Sequence, residues 1–131
     1  MKFRIFLFTV TLFTLISCQK QQAQNRVPVE PTLFAEKILS TNNPQIVDVR
    51  TPEEFDNEHL INATNIDWKG NTFESEAEQL DKTKPVFVYC KSGARSKKAA
   101  TKLKDLGFTD IYELQGGFMQ WSAEGLKSNK N

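Results

Sequence analysis

The sequence predicts an α/β domain built around a mostly parallel sheet, with helices on both faces. Three observations carry that prediction. Extended and helical patterns alternate along the chain from Val27 onward, the order given by strands joined through helices. The segment Pro85-Val86-Phe87-Val88-Tyr89 is apolar almost throughout, which suits a strand covered on both faces. At 131 residues, ten of them Phe, the chain can build one hydrophobic core but not two domains.

The first residues stand apart from that core. Lys2 and Arg4 introduce an apolar run from Ile5 to Ile16, the positive head and short hydrophobic stretch of a secretory leader. A spanning helix would need about 20 apolar residues. Leu15-Ile16-Ser17-Cys18 resembles the bacterial lipobox, whose cysteine becomes lipidated. Residues 1–17 are therefore expected to be a lipoprotein signal peptide, and 18–28 a lipid anchor followed by a polar, flexible tether. The domain proper is expected at 29–128. On this reading the protein is exported and held to the cell envelope, in the periplasm or at the surface, by lipid on Cys18.

Within the domain, Pro31 suits a first helical turn, and Thr32 to Leu39 form a short amphipathic helix with Phe34 and Ile38 on one face. Asn42-Asn43-Pro44 ends it. Ile46 to Val49 has the length and apolarity of a strand. Thr51-Pro52-Glu53-Glu54 reads as a helix start: Thr51 caps, Pro52 occupies the first position and Glu54 closes a capping box. Ala63 to Ile66 is a weaker strand, and Asn71-Thr72-Phe73-Glu74 repeats the capping pattern before a helix ending near Leu80. After the central strand at 85–89, Ser96 to Leu106 is helical with Ala99, Ala100, Leu103 and Leu106 inward, and Gly107 stops it. Ile111 to Leu114 is a last strand, followed by Gly116-Gly117 and a short helix through Trp121.

Charge is nearly balanced, with 17 basic against 16 acidic residues, so nothing in the composition calls for nucleic acid. The chain has two cysteines. If Cys18 carries lipid, Cys90 has no partner within the chain, which in an exported protein marks a thiol that is used.

Cys90 ends the central strand, where open α/β sheets place their ligands. The residues that follow, Lys91 to Arg95, turn tightly with the help of Gly93 and lead into the helix expected from Ser96. Backbone N–H groups in such a turn form an anion nest, and the helix N-terminus adds partial positive charge. Lys91 and Arg95 add full charges. All of these favour thiolate over thiol, so Cys90 is expected to be a nucleophile. A core cysteine, the common fate of free Cys, needs no glycine turn with two cations behind it.

Four stretches, in order, resemble the rhodanese family in its single-domain form: Ile46-Val47-Asp48-Val49-Arg50 with Glu53-Glu54-Phe55; His59 to Ile66; Val88 to Ser96; and Leu114 to Phe118 with Trp121. The resemblance covers about Val29 to Lys127. It implies a rhodanese-like fold and a sulfurtransferase whose cysteine becomes a persulfide. The donor would be a small anion such as thiosulfate, and the acceptor cyanide or a thiol, with a protein thiol among the candidates. On that reading Cys90 is catalytic, and Lys91, Ser92, Gly93, Ala94, Arg95 and Ser96 bind substrate. Asp48, Arg50 and Glu54 brace the loop, pairing as Arg50 with Glu54 or Asp48 with Arg95. Gly116 and Gly117 supply a tight turn beside the site, and Trp121 packs beneath it.

No cofactor is implied, and no Cys or His cluster has metal-ligand spacing. His59, the single histidine, is read as packing or hydrogen bonding. Two rival readings are a persulfide carrier or docking module without turnover, and a cysteine-dependent phosphatase or arsenate reductase. The latter use a longer loop than the four residues between Cys90 and Arg95. The chain departs from the family pattern at Glu58, Ile61 and Asn62 around His59, and has Lys91 where Arg is frequent, which keeps charge but loses the fork geometry.

Overall fold

The computed structural model describes residues 26–130. The expected signal peptide, Cys18 and the tether through residue 25 lie outside the described residues. The chain runs β1 (Arg26–Val29), α1 (Pro31–Ser40), β2 (Gln45–Asp48), α2 (Pro52–Asn57), β3 (Glu58–Leu60), β4 (Thr64–Asn65) and α3 (Phe73–Ala77). It continues through β5 (Val86–Tyr89), α4 (Ala94–Asp105), β6 (Ile111–Leu114), α5 (Gly117–Ala123) and β7 (Ser128–Lys130).

Among the described residues, β1, β6, β5, β2 and β4 lie side by side in that order, and every neighbouring pair is parallel. The expected parallel α/β architecture is the one observed. β5 occupies the centre and is buried along its whole length. Its side chains alternate between two cores, as the period of a strand requires. Val86 and Val88 point with Cys90 into a core completed by Phe73 and Ala77 of α3 and by Ala99, Ala100 and Leu103 of α4. Phe87 and Tyr89 point the other way, toward Phe34 of α1 and Trp121 of α5. Phe34 meets Phe87 edge-on at 5.5 Å between ring centroids. Burying an aromatic or branched side chain of this kind contributes roughly 1.5–3 kcal/mol, so β5 is the best-anchored strand of the fold. The loop that follows it inherits that rigidity.

The capping box of α2 is present as the sequence predicts. Thr51 Oγ1 accepts from Glu54 N–H, and the Glu54 carboxylate accepts from Thr51 N–H at 3.0 Å. The similar signal at Asn71 to Glu74 fails: the cap position falls on Thr72, with no side-chain cap bond. The Thr72 hydroxyl donates to Glu76 Oε1 instead of accepting a backbone N–H, and α3 stops at Ala77, short of Leu80. The domain also extends past its expected edges of 29 and 128. Arg26 to Pro28 belong to β1, paired with β6, rather than to a tether. Asn129 and Lys130 pair with His59 and Glu58 in the antiparallel couple β3–β7. Around the departures from the family pattern, Asn62 adopts φ +64. Asparagine tolerates that left-handed conformation better than most residues, so it closes the turn after β3 without a glycine.

Candidate active site

Cys90 directly follows β5 and sits at the bottom of its loop, 1% exposed. Its Sγ accepts a hydrogen bond from the Gly93 N–H at 3.1 Å and lies 3.4 Å from Ser96 Oγ. Gly93 has φ +109, a conformation open to glycine and strained for other residues. Its carbonyl takes the first helical bond from Lys97 N–H at 3.1 Å. The N–H groups of Ala94, Arg95 and Ser96 therefore stand at the open N-terminal end of α4, a position suited to an anion. Lys91 and Ser92 are exposed at the rim.

The loop is held from behind by α5. Phe118 N–H donates to the Cys90 carbonyl at 2.8 Å, and Met119 N–H to that of Lys91 at 3.0 Å. With those carbonyls held by α5, the loop brings the Gly93 N–H back onto the sulfur. Gly117 makes this approach possible: a Cβ there would stand 2.5 Å from the Lys91 oxygen and 2.7 Å from the Cys90 oxygen. Gly116 has φ +74 and caps the same helix. The two glycines thus do more than turn the chain. Trp121, expected beneath the cysteine, instead packs against Phe34 on the opposite face of the sheet, with ring centroids 6.4 Å apart.

The two expected ion pairs are exchanged. Arg50 pairs with Asp48, through Nη2 to Oδ2 at 2.7 Å and Nε to Oδ1 at 3.0 Å. Asp48 and Arg50 are two residues apart in extended chain, so their side chains share a face. Arg50 also donates to the Glu58 carbonyl at 2.6 Å and lies 4.5 Å over the Phe118 ring. Burial is the largest single effect and works against its charge, but the hydrogen bonds and negative charge of Asp48, with Tyr89 adding to them, together outweigh it and raise its pKa. Tyr89, beside this pair, accepts Leu60 N–H at 3.0 Å. Its hydroxyl is pushed well above the ordinary phenol range, first by burial and then by the charge of Asp48.

Arg95 pairs with Glu54 in a two-pronged bridge, 2.7 Å to Oε2 and 2.9 Å to Oε1. The guanidinium behind the loop is thus a braced cation, with its charge partly balanced by a carboxylate from α2. The hydrogen bond from Arg95 is the main cause that draws Glu54 down from 4.5 to about 2, with the Thr51 groups adding to it. A carboxylate depressed in this way stabilises the fold fully above its unfolded pKa, and the contribution is lost as pH falls toward the folded value. Glu54→Gln should therefore flatten the loss of stability between pH 4.5 and about 2. Chemical denaturation at several acidic pH values measures that slope.

His59 is half-buried. Its Nδ1 lies 2.8 Å from the Phe55 carbonyl, and its ring stacks on that of Phe55 with centroids 3.8 Å apart. It packs and hydrogen-bonds, as the sequence suggests. Sequence reasoning overlooked Glu113 of β6, 6% exposed, whose Oε1 is 3.4 Å from Ser96 Oγ and whose Oε2 accepts Arg26 Nε at 2.8 Å. The signal was there: a carboxylate inside the strand Ile111-Tyr112-Glu113-Leu114, where charge is almost never buried without a partner.

A parallel sheet with a buried cysteine seated in a glycine turn at its carboxyl edge defines the class: an α/β domain with a thiol at the strand ends. Comparison with known proteins agrees. The chain matches the family model described as "Rhodanese-like domain" over residues 31–124, and it belongs to that family. It is 34% identical over 99 residues to thiosulfate sulfurtransferase GlpE of Coxiella burnetii, covering 76% of this chain and 91% of that protein. It is also 37% identical over 86 residues to the uncharacterized protein YqhL of Bacillus subtilis, covering 66% of each. Among solved structures, a rhodanese-related protein from Thermoplasma volcanium superposes with a TM-score of 0.69 at 26% identity, covering 78% of this chain and 96% of the other.

Proposed function

We propose that the protein is a sulfurtransferase that carries a sulfane sulfur on Cys90. The observation that carries this reading is the seat of the sulfur, at the bottom of a four-residue loop with Gly93 N–H directed at Sγ from 3.1 Å. The Cys90 thiolate attacks the outer sulfur of a donor such as thiosulfate. A sulfur–sulfur bond forms, the donor's own bond breaks and sulfite leaves with the electron pair. An acceptor thiolate, or cyanide, then attacks the terminal sulfur and releases the Cys90 thiolate. These displacements balance without a metal or organic cofactor. The amides from Lys91 to Ser96 hold the anionic donor, and Lys91 at the rim attracts it.

Two features favour sulfur over phosphate. The ring from Cys90 to Arg95 is short, and the end-on fork of Arg95, Nη1 with Nη2, is already engaged by Glu54, so a phosphate would have to compete for it or take only the Nε edge. The relatives named as thiosulfate sulfurtransferases support the same choice. We further read the mature chain as exported and lipid-anchored through Cys18, from the leader and lipobox in the sequence.

Intact-mass measurement of the purified protein before and after thiosulfate tests both parts. The expected result is one added sulfur atom, mapped to the peptide containing Cys90, on a chain beginning with a lipidated Cys18. A protein that never gains the sulfur would overturn the transferase and the carrier readings together. One that gains it but hands it to neither cyanide nor a thiol would be a carrier.

A further inference from the structure

Behind the reactive sulfur lies a buried chain of polar groups that sulfur transfer, as described, does not use. Ser96 is fully buried. Its hydroxyl stands 3.4 Å from Cys90 Sγ, 3.2 Å from the Gly93 carbonyl and 3.4 Å from Glu113 Oε1. Glu113 is held in turn by Arg26, whose Nη1 also reaches Thr101 Oγ1 at 3.3 Å. A buried carboxylate on an inner strand is expensive to maintain, and an apolar residue of similar size would serve stability as well.

A serine hydroxyl has one hydrogen to give. When Cys90 is a thiol, its S–H can donate to Ser96 Oγ, and the serine hydrogen goes to the charged oxygen of Glu113, a stronger acceptor than the Gly93 carbonyl. When the sulfur is an anion, thiolate or persulfide, it becomes a second charged acceptor for that same hydrogen. The hydroxyl then rotates from Glu113 to the sulfur. Only a rotation about Cβ–Oγ is required, with the thiol proton lost to solvent and Glu113 still held by Arg26.

We propose that Glu113 is a positioning residue for Cys90 that acts through Ser96: it competes with the sulfur for a single hydroxyl hydrogen and so holds the resting cysteine as a thiol. Arg26 sets the strength of that competition by sharing the carboxylate. The proposal rests on the reading that Cys90 reacts as an anionic sulfur, and it adds a brake to that reactivity. Among the charged groups around the loop, Arg95 acts in the opposite sense, since its positive charge attracts the sulfur anion.

The test is the rate of Cys90 alkylation by iodoacetamide at neutral pH, followed on the Cys90 peptide of the full chain, so that Cys18 does not contribute. Glu113→Gln should react about three- to tenfold faster than the wild type, the worth of exchanging a charged acceptor for a neutral one. In a Ser96→Ala background the same change should alter the rate less than about twofold. Arg26→Gln, at a half-exposed strand end, should leave Glu113 competing harder and slow the reaction, while Arg26→Lys restores it. An unchanged or slower Glu113→Gln, or an acceleration that persists without Ser96, would overturn the proposal. Should Glu113→Gln fail to melt cooperatively, the slowing in Arg26→Gln and its recovery in Arg26→Lys decide alone. Alkylation needs no sulfur donor, so a Cys90 that never accepts sulfur from thiosulfate still reports on Glu113.

Discussion

Cys90→Ser should keep the fold and lose sulfur transfer down to the uncatalysed background, a fall of at least about a thousandfold. The substitution changes one atom. A serine hydroxyl fits the space, can accept the Gly93 N–H that now meets Sγ at 3.1 Å and can donate to Ser96. Stability should therefore change by no more than about 1 kcal/mol, the scale of one net hydrogen bond. What disappears is the chemistry. A hydroxyl has no appreciable anionic fraction near neutral pH, and oxygen does not store a sulfane sulfur as a thiolate does. Thiosulfate-to-cyanide transfer, measured beside a thermal melt, separates the two effects. A variant that melts normally and still transfers sulfur would move the nucleophile elsewhere.

The largest loss of stability is expected at Asp48→Ala. Asp48 is completely buried and Arg50 is 4% exposed, and the two meet at 2.7 Å. Removing the carboxylate leaves a buried guanidinium without its counter-charge, which typically costs 3–5 kcal/mol. The Glu58 carbonyl and the faces of Phe118 and Tyr89 remain as partial company for Arg50, which places the loss near the lower end, about 3 kcal/mol. For a domain of about 100 residues that lowers the melting temperature by roughly 12–24 °C. The cause can be isolated, because Asp48→Ala with Arg50→Met removes both charges and should recover most of the loss. Equal damage in the single and double variants would mean that Asp48 acts through packing instead.

The exchange of partners at Asp48, Arg50, Glu54 and Arg95 shows where the sequence stops being legible. Local signals were readable because their physics is local. The capping box of Thr51 and Glu54, the apolar β5, the glycine turn after Cys90 and the inward alanines of α4 each rest on neighbours within a few positions. Which carboxylate meets which guanidinium does not. Glu54 caps its own helix and bridges to Arg95, 41 residues away, and nothing near Glu54 announces the second bond.

Likewise β3 and β7 are short, polar strands with no period to read, and each exists because the other lies beside it. β1 carries Pro28, which argues against an interior strand, and it forms only as an edge strand, where such a residue is tolerated. Trp121 was misplaced for a related reason. Its spacing from Gly117 locates it on α5, but the face that α5 turns to the sheet is fixed by Phe34 across the core.

The direction of the sheet has a consequence for how the protein meets its client. β1 runs parallel to β6 and β5, with Arg26 level with Ile111 and Ile111 level with Val86. The polypeptide thus enters the domain at the rim where the strands begin, while Cys90 sits at the rim where they end, a strand length of about 13 Å away. On the lipid-anchored reading proposed above, the point of attachment and the reactive sulfur would lie at opposite rims of the sheet. An acceptor would then have to approach the rim opposite the point of attachment.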